Sequence, residues 1–329
     1  MTNDKNDTKI KEFKPVHQED RTIRKQEMNQ FIQESQKMKP KRRKTLQELT
    51  IKDNFMFGAV MSDPENSRLF LELVLGIEIR HVEVIKEKSL IYHPEYRGVR
   101  LDIYANDENN THYNIEMQVE KTDIEKRTRY YHSQIDMELL LSGVDYDYLP
   151  ESFVIFICDY DPLGYGKYRY TIQNHCLETE FSPFNDGRNI VLLNTKGKNK
   201  DEVPAELISF LEYVSMDPEE SEEKSQDPFV NRLQKSVRDI KASREMGERY
   251  MLFSELLDKE RQEGKIEGEK KGELKSIIKT VLRFIQSDWN QEQTASFLNE
   301  ELSTIKKIYD AAEACAPEYD IDTIYEMIK

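Results

Sequence analysis

Cysteine is scarce: the 329 residues hold three, Cys158, Cys176 and Cys315, with no CxxC pair. That usage excludes a disulfide framework and a cysteine-zinc cluster, and it fits a reducing compartment. Long apolar runs are missing as well. No stretch approaches the roughly 18 to 20 residues needed to cross a bilayer, and the opening MTNDKNDTKIKEF has no apolar segment of the signal-peptide kind. With 34% charged residues and a mean hydropathy of -0.77, the expectation is a soluble, cytoplasmic protein with no membrane partner. A surplus of positive charge is also lacking. The net charge is -15, which counts against nucleic-acid binding, because a phosphate backbone is usually met by a basic footprint.

The distribution of charge softens that objection. Residues 1–44 hold 13 Lys/Arg against 7 Asp/Glu and end in Lys39-Pro40-Lys41-Arg42-Arg43-Lys44, so the acid excess lies in the remaining 285 residues, with 35 against 56. With almost no apolar periodicity, residues 1–44 read as a disordered basic arm, either a solubilising tail or a phosphate contact. Net charge governs solubility and long-range steering, while a local cleft can be positive or can neutralise carboxylates with a divalent metal.

From Leu46 the pattern becomes helical, with Ser67–Leu75 a short helix stopped by Gly76. Strands are expected at Val82–Glu87, Arg100–Ala105 and His112–Val119, the last two joined through the turn formers Asn106 to Asn110. Ile124, Thr128, Tyr131, Ile135 and Leu139 keep one helical face over Asp123–Leu141. SFVIFICDY and NIVLLNT read as covered strands, Tyr168–Leu177 as a small excursion between them, and Pro204–Val214 as a closing helix. The order describes an α/β (α+β) core on a mixed sheet over residues 45–216. An acidic linker and helix (217–246) and a helical C-terminal extension (247–329) follow. In the extension Gly264, Gly268 and Gly272 stand four apart, which suggests either close approach to a partner helix or a flexible connector. The last helices, with Ser303 expected as an N-cap, resemble a helix-turn-helix in outline. Their poor basic content favours a structural or oligomerisation role, in a homodimer or higher oligomer.

Chemistry concentrates on two strands. Asp102 interrupts Leu101 and Ile103, and Glu116 and Gln118 project from one face while Ile115, Met117 and Val119 take the other. Paired as a hairpin, the strands can bring Asp102 beside Glu116. Two adjacent carboxylates repel unless a cation sits between them, and hard oxygen ligands suit Mg²⁺, or Mn²⁺ in its place. Phosphodiester hydrolysis is the natural reaction class. His132 and Asp136, four apart, read as a surface pair.

The Asp…Glu-x-Gln arrangement resembles the PD-(D/E)XK nuclease superfamily, with Gln118 where lysine is usual. Four segments in order, Asp53-Asn54-Phe55-Met56-Phe57, Arg100-Leu101-Asp102-Ile103, Asn114-Ile115-Glu116-Met117-Gln118 and Arg127-Thr128-Arg129-Tyr130-Tyr131, are similar to its recombination-promoting nuclease and transposase branch. The resemblance implies a restriction-endonuclease-like core and a Mg²⁺-dependent DNA endonuclease, with Asp102 and Glu116 as metal ligands and Gln118 orienting the attacking water. It gives weaker roles to Asp53 at the cleft edge and to Glu72 as an acid behind the ligands. Arg127 and Tyr131 resemble the Gln-x-x-x-Tyr pair of RecB-type nucleases, and an arginine there could grip a phosphate. Alternatively Arg127 lies on a solvated flank, pairing Asp123. The rival reading of the whole is a catalytically weak or inactive DNA- or protein-binding module on the same fold.

Overall fold

Apolar strands covered on both faces organise the chain. The computed structural model describes residues 43–90, 98–179, 182–217, 219–220 and 225–329. The basic arm expected over residues 1–44 therefore lies outside the described residues but for its last two, as do residues 218 and 221–224 of the acidic stretch. Contacts divide the chain into Met1–Leu49 and Thr50–Lys329. In the first unit a single turn, Leu46–Glu48, is closed by the Thr45 N–H and hydroxyl donating to the Glu48 carboxylate at 2.7 and 3.0 Å.

The second unit opens with helices α1 (Asn54–Met61) and α2 (Pro64–Leu75). Asp63 caps α2 by accepting from the N–H groups of Glu65 and Asn66, Pro64 fits the first turn, and Gly76 ends the helix at φ 70°, a left-handed conformation that glycine adopts without strain. Then come β1 (Val82–Leu90), β2 (Val99–Asp107), β3 (His112–Gln118), α3 (Ile124–Leu139), β4 (Ser152–Cys158), β5 (Arg169–Ile172), the two-residue strands β6 (His175–Cys176) and β7 (Ser182–Pro183), β8 (Arg188–Asn194) and α4 (Ala205–Ser215). The main sheet has the order β1-β2-β3-β4-β8-β5, with β3, β4 and β8 parallel and the others antiparallel. The segment expected as an excursion over Tyr168–Leu177 thus contributes an edge strand to this sheet. It is four residues long and its Thr171 and Ile172 are exposed, so it carries too little alternation to read as a strand.

The β2–β3 turn follows from side-chain chemistry. Asp107 accepts the N–H groups of Asn109 and Thr111, both at 2.9 Å, and Asn110 takes φ 62°, which asparagine tolerates. On one face of the sheet, Ile124, Tyr131 and Ile135 of α3 pack on Val154, Phe156 and Cys158 of β4 and Leu192 of β8. Ile155 and Ile157 of β4 point the other way and are equally buried, the pattern of a strand covered on both sides. His132 is not the surface residue expected. It is buried on α3, bonded through Nδ1 to the Ser152 hydroxyl at 2.9 Å, because its helical face is the one turned to β4.

The packing does not stop at residue 216. Helix α5 (Pro228–Ala242) buries Val230, Leu233 and Val237, sets Phe229 against Phe210 of α4, and sends Arg232 to Asn66 of α2 at 2.6 Å. Helix α6 (Arg244–Ile285) sets Tyr250 and Phe253 against Phe55 of α1. Its middle is exposed, and a Cβ built on Gly264, Gly268 or Gly272 meets nothing within 4 Å. Paired charges such as Lys259–Glu263 and Lys265–Glu269 support the helix there. Its end joins α7 (Gln291–Leu298), α8 (Leu302–Ala314) and α9 (Ile321–Ile328) in a second apolar cluster around Ile278, Val281, Ile305 and Ile308. The N-cap of α8 is Glu301; Ser303, expected there, lies inside the helix. No described helix is long and apolar enough to cross a membrane.

Candidate active site

The site is a fork in the sheet. Antiparallel pairing of β2 and β3 runs from Asn106↔His112 to Ile103↔Ile115. One step further the strands are joined through their carboxylates instead. The Asp102 N–H donates to Glu116 Oε1 at 3.1 Å, and the Met117 N–H donates to Asp102 Oδ2 at 3.2 Å. Each acid thus satisfies a backbone donor of the other strand, which holds the two carboxylates together on the α3 face.

Burial is severe for one and partial for the other. Glu116 is 1% exposed and Asp102 is half-buried. Burial, and then the neighbouring Asp102 charge, push the Glu116 carboxyl up to about 8; burial likewise raises Asp102. Arg127 of α3 opposes the rise. Its guanidinium donates through Nη2 to Glu116 Oε2 at 2.9 Å, through Nη1 to Gln118 Oε1 at 2.6 Å and through Nε to the Tyr131 hydroxyl at 2.7 Å. The Tyr131 and Phe156 rings each lie 5.1 Å from the guanidinium carbon, close enough for cation–π attraction. Asp123, the alternative partner, instead caps α3 at the Lys126 N–H and pairs the Lys126 ammonium. Gln118 is fixed at both ends, since its amide nitrogen donates to the Glu120 carbonyl.

The two weaker candidates lie elsewhere in the bonding pattern. Asp53 accepts from the Thr50 N–H at 2.8 Å and the Thr50 hydroxyl at 3.2 Å ahead of α1. Glu72 bonds Arg68 at 2.8 Å and the Ile79 N–H at 2.9 Å, tying α2 to the loop that enters β1.

Two residues escaped the sequence reading. Asn114 lies two residues before Glu116 on the same face, fully buried, with neither amide atom hydrogen-bonded. Glu87 is flanked by the pairs Lys86↔Ile103 and Lys88↔Leu101, which leaves it opposite Asp102; it takes φ 55°, strained for a residue with a Cβ, and its charge raises the Asp102 pKa. An interior asparagine and a strand glutamate carry no sequence signal that separates them from their neighbours.

No set of three or more His, Cys, Asp or Glu side chains able to hold a metal occurs among the described residues. Two hard carboxylates beside an orphaned buried amide nevertheless fit a small hydrated cation such as Mg²⁺, which retains several waters and needs few protein ligands.

A mixed sheet with acids on two adjoining strands, roofed by one helix, defines an α/β fold of the PD-(D/E)XK type. The family model described as PD-(D/E)XK nuclease family transposase matches residues 51–259, and the chain belongs to that family. The match runs past residue 216 and takes in α5 and the first turns of α6. No curated protein and no solved structure matches the chain.

Proposed function

We propose that the protein is a metal-dependent DNA endonuclease that hydrolyses phosphodiester bonds, with Asp102 and Glu116 holding Mg²⁺ or Mn²⁺. The observation that carries this reading is the reciprocal bonding of the two carboxylates at the sheet fork. A pair of buried acids with raised pKa values is unfavourable for the metal-free fold, which is the usual mark of a functional rather than a structural arrangement. When bound, a divalent cation supplies acidification of water and neutralisation of the charge that builds on the phosphate. The chain's own part is orientation. Main-chain N–H groups fix one oxygen of each acid, and Arg127 fixes the other oxygen of Glu116. Gln118 adds hydrogen-bonding capacity and no charge.

Purified protein should nick supercoiled plasmid in Mg²⁺ or Mn²⁺ and not in EDTA; absence of nicking with every divalent ion would overturn the reading. A second reading, a DNA- or protein-binding module without cleavage, draws on the uncharged Gln118 and on the Arg127–Glu116 pair already formed. Binding that survives Asp102→Ala, with no nicking by the wild type, would favour it.

A further inference from the structure

Phosphodiester hydrolysis builds negative charge at the phosphate, and groups that counter it act best when fixed in advance. Among Asp102, Glu116 and Gln118, none carries positive charge, so any fixed positive charge that the chain itself adds beside a metal comes from another element. We propose that Arg127 is that cation: it locks Glu116 and Gln118 and supplies, from α3, the fixed positive charge that Gln118 lacks. The inference rests on the nuclease reading above.

Three observations carry it. The guanidinium bonds Glu116 and Gln118 at once, at 2.9 and 2.6 Å, so it sits between the acid and the amide rather than beside them. Its own direction is fixed by the Tyr131 hydroxyl at 2.7 Å and by the two flanking rings. The side chain is still 33% exposed, and three of its five N–H groups are used, which leaves two donors for a phosphate oxygen. A purely structural arginine would make the same ion pair without needing an open side.

The test separates charge from architecture. Arg127→Met should lower the nicking rate by about a hundredfold, while Mn²⁺ binding, followed by electron paramagnetic resonance, stays within a few-fold of wild type or tightens. Adding Gln118→Lys to Arg127→Met returns a cation to the same group from the neighbouring strand and should recover nicking at least tenfold. Wild-type nicking by Arg127→Met, or a folded double variant no faster than Arg127→Met, would overturn the proposal. Complete loss of Mn²⁺ binding in Arg127→Met would overturn it too, because the residue would then act by building the metal site. Should Arg127→Met fail to fold, the double variant is compared with wild type: at least a tenth of its rate supports the proposal, and no nicking overturns it. A wild type that fails to nick with every divalent ion tried refutes the nuclease reading itself, a result distinct from all of these.

Discussion

Replacing Glu116 by glutamine keeps the shape of the side chain and removes its charge. In the metal-free protein that charge is costly, since the carboxyl is pushed from 4.5 to about 8 by burial and by Asp102. The sign follows from linkage. A carboxyl whose pKa is raised on folding leaves stability intact below its unfolded pKa and takes stability away as pH rises from 4.5 towards 8, because only the unfolded chain ionises freely. At pH 7 the penalty is about 3 kcal/mol, at 1.36 kcal/mol per pKa unit. Glu116→Gln should therefore be more stable than wild type by that order in EDTA at pH 7, and equal to it near pH 4. The melting temperature should rise by roughly 5 to 10 °C, while nicking in Mg²⁺ disappears. Wild type should also gain stability from Mn²⁺, and the variant should not. Thermal unfolding at both pH values, with and without metal, checks each arm. A glutamine variant less stable than wild type in EDTA at pH 7 would refute the reasoning, because Glu116 would then be stabilising the fold through Arg127 rather than straining it.

Three further outcomes are expected. Burial, aided by Arg188, holds His132 down at about 4, so its contribution to stability is present above pH 6.5 and lost as pH falls towards 4, about 2 kcal/mol by pH 5; His132→Gln should flatten the pH dependence of stability over that range, measured by urea unfolding at each pH. A chain ending after residue 259 should remain folded and keep nicking, whereas one ending at Ser215 loses Phe229, Val230 and Leu233 from the core and should give a broadened or absent thermal transition. Alanine at Gly264, Gly268 and Gly272, where a Cβ meets open space, should stabilise α6 by up to about 1 kcal/mol per site, read as increased helicity and a higher melting temperature; destabilised self-association instead would place a partner helix on that face.

Much of the fold was legible because each core element carries one strong signal. The apolar runs of β4 and β8, the turn formers after β2, the single face of α3 and the glycine closing α2 are local, and local chemistry decided them. The edge strand β5 and the extent of the core were not local. Strand β5 exists because β8 offers it a free edge, and α5 belongs to the core because Phe229 meets Phe210 and Arg232 meets Asn66. Neither partner can be read from the segment itself. Gly264, Gly268 and Gly272 mislead in the same way, since the helix through them is anchored at both ends by Phe55 and by the Ile278 cluster, which outweigh a weak middle.

The site divides along the same line. Alternation along β2 and β3 puts Asp102 and Glu116 on one face, and that needs only the strand period. What the period cannot give is where a long side chain from another element ends. Arg127 could have stayed on a solvated flank with Asp123 one turn away; it turns inward because Tyr131 and Phe156 offer ring faces and Glu116 offers a buried charge. The unfavourable net charge of -15 is then less of an obstacle than it looks in the sequence. A phosphate approaching the fork meets a guanidinium and, on the proposed reading, a divalent ion held by two acids, and over such distances those near charges outweigh carboxylates spread across a surface screened beyond about 10 Å in ordinary salt.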